Sequence, residues 1–266
     1  MQFAYFCYHR KDDNMLETCI NSLRQVSPDC GILVVTDGIP PEEKSFLADR
    51  FGVLWIVVSP SEMVKQRAAC KIRMLKSIVS TRLEDGDELL VSDVDVYFQK
   101  NPFTAFAEHP NMDLGLTTRG YNYLFPINGG IFYIRVNSKM RDWVSWYNEE
   151  FSCATWKEYV DLRMSYNHFR YGLDWGAQDF LIACWNHRKH LLSSKGLVIE
   201  DVGPNYNYCP PTDTMGNAAF ALIRKALAEQ SVCTIHLKSD LKQMIYDKGL
   251  FPNALIRHPR GSTQWL

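Results

Sequence analysis

Asp93 and Asp95 stand one residue apart in Ser92-Asp93-Val94-Asp95-Val96-Tyr97, directly after the apolar run Leu89-Leu90-Val91. A buried strand that surfaces at this point carries two carboxylates to its exit. On a fully extended chain the two side chains would point to opposite faces, but a bend at the exit lets both converge on one cation. Two crowded carboxylates repel each other, so a metal or polar ligand beside them stabilises the arrangement. The pair alone is equally at home in a solvated surface turn, because Asp-x-Asp is a common dipeptide spacing. What decides between these readings is the rest of the chain.

The elements before the pair alternate. Phe3–Cys7, Ile32–Val35 and Val53–Val58 read as strands. A helix beginning near Asp13-Asn14 places Leu16, Cys19, Ile20 and Leu23 on one face and ends at Ser27-Pro28-Asp29. Pro41-Glu42-Glu43 opens a second helix that Gly52 closes. Ser59-Pro60-Ser61-Glu62 combines a capping box with proline at the first helical position and opens a third. The apolar stripe of that third helix is Val64, Ala68, Ile72, Leu75, Val79 and Leu83, with Arg67 and Lys71 on its flank. Three strand-helix units ahead of the acidic strand predict an α/β chain with a doubly wound, mostly parallel, Rossmann-like sheet flanked by helices. Such sheets bind ligands at the carboxyl ends of their strands, where the acidic pair falls.

The second half is less regular. Strands are expected at Leu114–Leu116, Gly130–Ile134 and Val232–Ile235, with helices near Met140–Phe151 and Ala177–Trp185. Two loops, Gly120–Tyr123 and Pro204–Tyr208, are rich in aromatic residues. No internal repeat or low-complexity tract divides the chain, so residues 1–266 are expected to form one domain.

Composition narrows the function classes. A formal net charge of −1 over 266 residues, without basic blocks, argues against a nucleic-acid binder that neutralises many phosphates. No apolar stretch approaches the ~20 residues that span a bilayer, and the start Met1–Tyr5 reads as a strand and not as a leader. The eight cysteines are scattered, without the close pairs of zinc or redox motifs, and there is no Asn-x-Ser/Thr acceptor. These features lead to the expectation of a cytoplasmic chain with reduced thiols.

Four motifs in order resemble the retaining glycosyltransferases of the GT-A fold, the nucleotide-diphospho-sugar transferases whose acidic strand reads Ser-Asp-x-Asp. Asp87–Pro102 is similar to their strand, Asp-x-Asp motif and proline turn, and Asn128-Gly129-Gly130-Ile131-Phe132-Tyr133-Ile134 to their Asn-x-Gly strand. Gln178-Asp179 resembles their Asp-Gln-Asp helix start, and His236–Lys242 their late strand and loop, in which a metal-binding histidine precedes a phosphate-binding lysine by six residues. The likeness covers about residues 1–245, with departures: Ala177 stands where an acidic residue is usual, Ser239 replaces a glycine, and Gln243-Met244 replaces Pro-Trp.

The resemblance implies transfer of a sugar from a nucleotide-diphosphate-sugar donor, with uridine the expected base, to a glycan, protein or small-molecule acceptor, with retention at the anomeric carbon. Residues 1–100 would form the nucleotide-binding half and 101–266 the sugar and acceptor half. It implies Asp93, Asp95 and His236 as ligands of Mn²⁺ or Mg²⁺, a donor set of oxygens and one imidazole that suits these ions. Lys242 would hold the pyrophosphate as a point charge. Lys71 and Asn128 would contact the donor, and Tyr8, at the end of the first strand, would stack on the base. Gln178 and Asp179 would face the anomeric carbon, with Asp174, one helical turn earlier, supplying the carboxylate that Ala177 lacks.

Rival readings are a phosphohydrolase of the haloacid-dehalogenase kind, a sugar-nucleotide pyrophosphorylase, and a degenerate transferase that only binds nucleotide-sugar or glycan. The first places its Asp-x-Asp on the first strand of the chain. The second needs a glycine-rich loop after that strand, and Cys7-Tyr8-His9-Arg10-Lys11 contains no glycine. Ala177 favours the third.

Overall fold

The computed structural model describes residues 1–8, 15–39, 41–58, 67–119, 127–152, 177–209 and 217–237. Its first half follows the alternation of the sequence: β1 (Gln2–Tyr8), α1 (Met15–Val26), β2 (Gly31–Thr36), α2 (Pro41–Phe51), β3 (Val53–Val57), α3 (Arg67–Thr81) and β4 (Glu88–Ser92). Pro41 opens α2 as expected. Gly52 closes it in the left-handed region at φ 65°, where its N–H donates to the Ala48 carbonyl at 2.8 Å. The capping box Ser59–Glu62 and residues Asp13-Asn14 lie outside the described residues.

After β4 come β5 (Val96–Phe98), α4 (Thr104–Glu108), β6 (Leu114–Thr118), β7 (Ile127–Arg135), α5 (Ser138–Ser152), α6 (Ala177–Asn186), α7 (Arg188–Lys195), β8 (Ile199–Asp201), a 3-10 turn at Pro204–Asn207, α8 (Asn217–Glu229) and β9 (Thr234–His236). Among the described residues, seven strands form one sheet in the order β3-β2-β1-β4-β7-β6-β8. Within it β7 alone runs against its neighbours, pairing antiparallel with β4 and β6, while β1, β2, β3 and β4 are parallel and β8 pairs parallel with β6. The sheet is mostly parallel, as the sequence predicts.

Double winding is visible in how each strand divides its side chains. Tyr5, Leu33, Val35, Leu89 and Val91 belong to a core shared with α3, α5, α6 and α7. Their neighbours Ala4, Phe6, Ile32, Val34 and Leu90 belong to a second core, on the opposite face, shared with α1 and α2. Burial on both faces explains why these strands are continuous apolar runs without polar alternation. Each fully buried aliphatic side chain contributes roughly 1.5–3 kcal/mol relative to exposure. A third, smaller cluster of Ile223, Ala226, Val232, Ile235 and Leu237 packs α8 against β9.

Several elements of the second half are absent from the sequence-based expectation: β5, α4, α7, β8 and α8. The late strand also ends at His236, so the histidine belongs to the strand. Strand β5 has only three residues, and its partner is β9, far along the chain, with Val96 opposite His236 in an antiparallel pair. That pairing is long-range, and a three-residue run has no period of its own to announce it.

Candidate active site

Three backbone segments meet beyond the end of β4. The link Asp93–Asp95 leaves β4, turns and enters β5. Asp93 N–H donates to the Gly130 carbonyl of β7 at 2.7 Å, and Leu237 N–H donates to the Asp95 carbonyl at 2.7 Å. Both ends of the acidic link are therefore pinned by main chain, one to β7 and one to the exit of β9. The β5–β9 pairing then sets His236 across from Val96, beside the acidic pair.

The side chains converge accordingly. Asp93, Asp95 and His236 each offer a ligand atom, and these atoms all lie within 4.8 Å of one another. His236 Nε2 lies 3.2 Å from Asp95 Oδ1 and 3.8 Å from Asp93 Oδ2. The imidazole is buried, Asp95 is 15% exposed and Asp93 is 42% exposed, so the trio opens to solvent on the Asp93 side. Two carboxylate oxygens and one imidazole nitrogen at this spacing fit a divalent ion that accepts mixed oxygen and nitrogen donors and leaves positions open for phosphate oxygens.

Close approach of β7 is what lets the histidine sit here. A Cβ on Gly130 would fall 2.1 Å from His236 Cε1, 2.6 Å from Nδ1 and 3.1 Å from Asp93 Oδ2. The glycine supplies the space that the ring occupies. Asn128, two residues earlier, turns its amide inward: its Oδ1 accepts the Gly130 N–H at 3.1 Å and its Nδ2 lies 3.2 Å from His236 Nδ1. Buried behind the ring, Asn128 supports the histidine.

Lys71, on α3, is buried and not solvated. Its Nζ donates to Asp93 Oδ1 at 2.8 Å and to the Gly129 carbonyl at 3.3 Å, and lies 5.6 Å from the centre of the Phe132 ring. The α3 backbone is held to the sheet at the same residue, where Tyr5 Oη donates to the Lys71 carbonyl at 2.8 Å. Asp93 thus gives one oxygen to the lysine and turns the other toward the histidine. Counting Asp93, Asp95, Lys71 and a neutral imidazole, the cluster carries one net negative charge, which a divalent cation would convert to one net positive charge facing a diphosphate.

Beneath the pair, the Cys19 thiol of α1 is buried and its pKa is raised well above the usual thiol value, chiefly by desolvation and further by the charges of Asp95 and Asp93. It stays a neutral thiol, packed against the acidic link.

Tyr8 ends β1 on the same edge of the sheet, yet it is 1% exposed and packs in the core with Leu16 and Phe98. Gln178 and Asp179 lie in the first turn of α6, whose first side chains are outside the described residues, as are Asp174 and Lys242. Sequence reasoning missed Asn207, the last residue of the 3-10 turn, whose Oδ1 lies 3.1 Å from His236 Nδ1. Its only sequence signal was a place inside an aromatic, proline-bounded loop.

Comparison with known proteins agrees with this geometry. Residues 61–172, which carry Lys71, the acidic pair and Asn128, match the family model described as nucleotide-diphospho-sugar transferase. The fold is similar to that of the glycosyltransferase GlyE of Streptococcus pneumoniae TIGR4, at 15% identity and TM-score 0.54, covering 90% of this chain and 56% of that one. It is also similar to the galactosyltransferase LgtC, solved with donor and acceptor sugar analogs, at 15% identity and TM-score 0.55, covering 90% of this chain and 88% of that one. A third likeness is mouse xyloside xylosyltransferase 1, at 11% identity and TM-score 0.56, covering 89% of this chain and 97% of that one. No curated protein matches the sequence. The fold is the GT-A fold of glycosyltransferases, and the stretch that carries the acidic pair matches the nucleotide-diphospho-sugar transferase model.

Proposed function

We propose that this chain is a metal-dependent glycosyltransferase that moves a sugar from a nucleotide-diphosphate-sugar, with a uridine nucleotide as donor, to a glycan, protein or small-molecule acceptor with retention of anomeric configuration. The observation that carries the reading is the convergence of Asp93, Asp95 and His236 at the exit of β4, with the two aspartates inside the stretch 61–172 that matches the transferase model. Leaving of a nucleoside diphosphate places negative charge on the β-phosphate as the sugar departs. A divalent ion, Mn²⁺ or Mg²⁺, bound at this site would supply positive charge beside both phosphates.

The chain's own groups prepare that site. Asp95 and His236 are the better buried ligands, and Asp93 presents a single oxygen because Lys71 holds the other. Lys71 also keeps the two carboxylates from repelling each other at full strength when the site holds no cation. Lys242, six residues after His236, is assigned to the pyrophosphate, and Gln178 and Asp179, with Asp174 before them, to the anomeric face. Retaining transfer needs either a nucleophile below the sugar or groups that stabilise a short-lived oxocarbenium-like ion there. In this assignment residues 1–100 bind the nucleotide and residues 101–266 the sugar and acceptor.

A thermal-shift series with nucleoside diphosphates, with and without Mn²⁺, tests the donor site, since a ligand bound only by the folded state raises its stability by mass action. Uridine diphosphate with Mn²⁺ is expected to give the largest rise. No shift with any nucleotide and metal would remove the donor-site reading. Product stereochemistry is then read by NMR during turnover, where an inverted anomer would refute retention.

A further inference from the structure

Two buried amides present opposite groups to one ring nitrogen of His236. Asn207 Oδ1 lies 3.1 Å from Nδ1, and Asn128 Nδ2 lies 3.2 Å from the same atom. Neither amide is free to turn over. Asn128 Oδ1 accepts the Gly130 N–H at 3.1 Å, which leaves its Nδ2 facing the ring. Asn207 Nδ2 donates to Thr117 Oγ1 at 2.9 Å and to the Asn128 carbonyl at 3.3 Å, which leaves its Oδ1 facing the ring. The 3-10 turn is fixed in turn, since Tyr208 N–H donates to the Thr234 carbonyl at 3.0 Å and His236 N–H to the Tyr208 carbonyl at 2.8 Å.

A neutral imidazole has one donor and one acceptor nitrogen, so each amide selects a different tautomer. Donating from Nδ1 to Asn207 leaves the Nε2 lone pair facing Asp93 and Asp95, the form that ligates a cation. Accepting at Nδ1 from Asn128 puts the proton on Nε2, 3.2 Å from Asp95 Oδ1, an electrostatic contact between ring and carboxylate and not an aligned hydrogen bond.

Building on the cation site proposed above, we infer that Asn207 is a positioning residue that selects the metal-ligating tautomer of His236, while Asn128 favours the competing tautomer with its proton on Nε2. A cation held through Nε2 would require the ring proton on Nδ1, the position that faces the Asn207 oxygen. The two asparagines set how much of the ring is in the ligating form before the ion arrives.

The two halves of the Asn207 amide can be separated. Asn207→Asp keeps an acceptor oxygen against Nδ1 and loses the donor to Thr117 and the Asn128 carbonyl, whereas Asn207→Leu loses both. With Mn²⁺ alone as probe, its free concentration followed by electron paramagnetic resonance, Asn207→Leu is expected to bind about 10- to 100-fold more weakly than wild type. Asn207→Asp is expected to bind as tightly as wild type or more tightly. Equal losses in the two variants would mean that Asn207 only holds the Asn128 carbonyl, and would overturn the inference while leaving the cation site standing. Absence of Mn²⁺ binding in wild type would instead overturn the cation site and the inference with it. A readout independent of any variant is the ¹⁵N spectrum of the His236 ring in Mg²⁺-saturated wild-type protein: a protonated Nδ1 is expected, and a protonated Nε2 would refute the assignment.

Discussion

Lys71 Nζ sits 2.8 Å from Asp93 Oδ1, so a buried ammonium is built into the acidic cluster and engages one oxygen of the more exposed carboxylate. The pair fixes both the direction in which Asp93 points and the charge that an incoming cation meets. A lysine this close to a divalent site lowers affinity for the bare ion by repulsion, and adds positive charge where a diphosphate would lie.

Lys71→Met keeps the stem against Phe132 and removes the charge. Binding of Mn²⁺ alone is expected to tighten by about 5-fold, since one unit charge at partly exposed spacing is worth on the order of 1 kcal/mol. Binding of uridine diphosphate with saturating Mn²⁺ is expected to weaken. Calorimetric titrations of the two ligands check this, and a parallel loss of both affinities would show that Lys71 acts only by holding the fold.

Asp95→Ala removes the carboxylate that faces His236 at 3.2 Å. Metal-dependent nucleotide binding is expected to disappear. The metal-free melting temperature is expected to stay within a few degrees of wild type, because losing one of two neighbouring carboxylates relieves repulsion. Asp93→Asn keeps a ligating oxygen and is expected to bind nucleotide more weakly but measurably, with a larger loss in turnover. Full Mn²⁺-dependent activity in Asp95→Ala would exclude the site described.

How far the sequence reached depended on how local the determining physics was. The β1-to-β4 units were readable because burial on both faces turns each strand into an apolar run, and because Pro41 and Gly52 act within a single turn of their own helix. Asp93, Asp95 and His236 were named from spacing and family likeness, but what joins them was hidden. The three-residue β5 finds its partner only in β9, and no local signal marks that pairing. Lys71 was named only as a donor contact by family likeness, since nothing within α3 shows that Asp93 and Gly129 receive its charge. Asn128 was read as a donor contact, and its contact with His236 was not legible because its orientation is set by Gly130 of its own strand.

Buried thiols give the fold an alkaline limit. Burial pushes Cys19 and Cys184 well above the usual thiol pKa of 9.0 and Cys233 up to about 12. In the unfolded chain these thiols ionise near the ordinary value, so above about pH 9 the unfolded state binds fewer protons than the folded one. The stability they confer is fully present below the unfolded pKa and falls as the pH rises toward the folded values. Each thiol is expected to add up to about 1.4 kcal/mol per pH unit to the slope. Urea unfolding between pH 8 and 10.5 measures it, and Cys184→Ala is expected to flatten the slope by one such share. An unchanged slope in that variant would show that Cys184 ionises in the folded chain as readily as in the unfolded one.

Gly130→Ala tests whether the ring of His236 is as tightly placed as the backbone suggests. The added methyl would fall 2.1 Å from Cε1 and 2.6 Å from Nδ1, so the imidazole, the β7 backbone or both must shift. The ring cannot swing away easily, because Asn128 and Asn207 hold one edge and its own strand is paired to β5. Moving β7 instead would stretch the bond from Asp93 N–H to the Gly130 carbonyl, now 2.7 Å, and so displace the acidic link. Either response separates ligands that now lie within 4.8 Å of one another. The expected result is a loss of about 1–3 kcal/mol in stability from overpacking, together with a fall in Mn²⁺ affinity of at least 10-fold. Thermal melts and Mn²⁺ titration measure the two effects separately. Wild-type Mn²⁺ affinity in a folded Gly130→Ala protein would mean that His236 is not a ligand, and that the cation is held by the two aspartates alone.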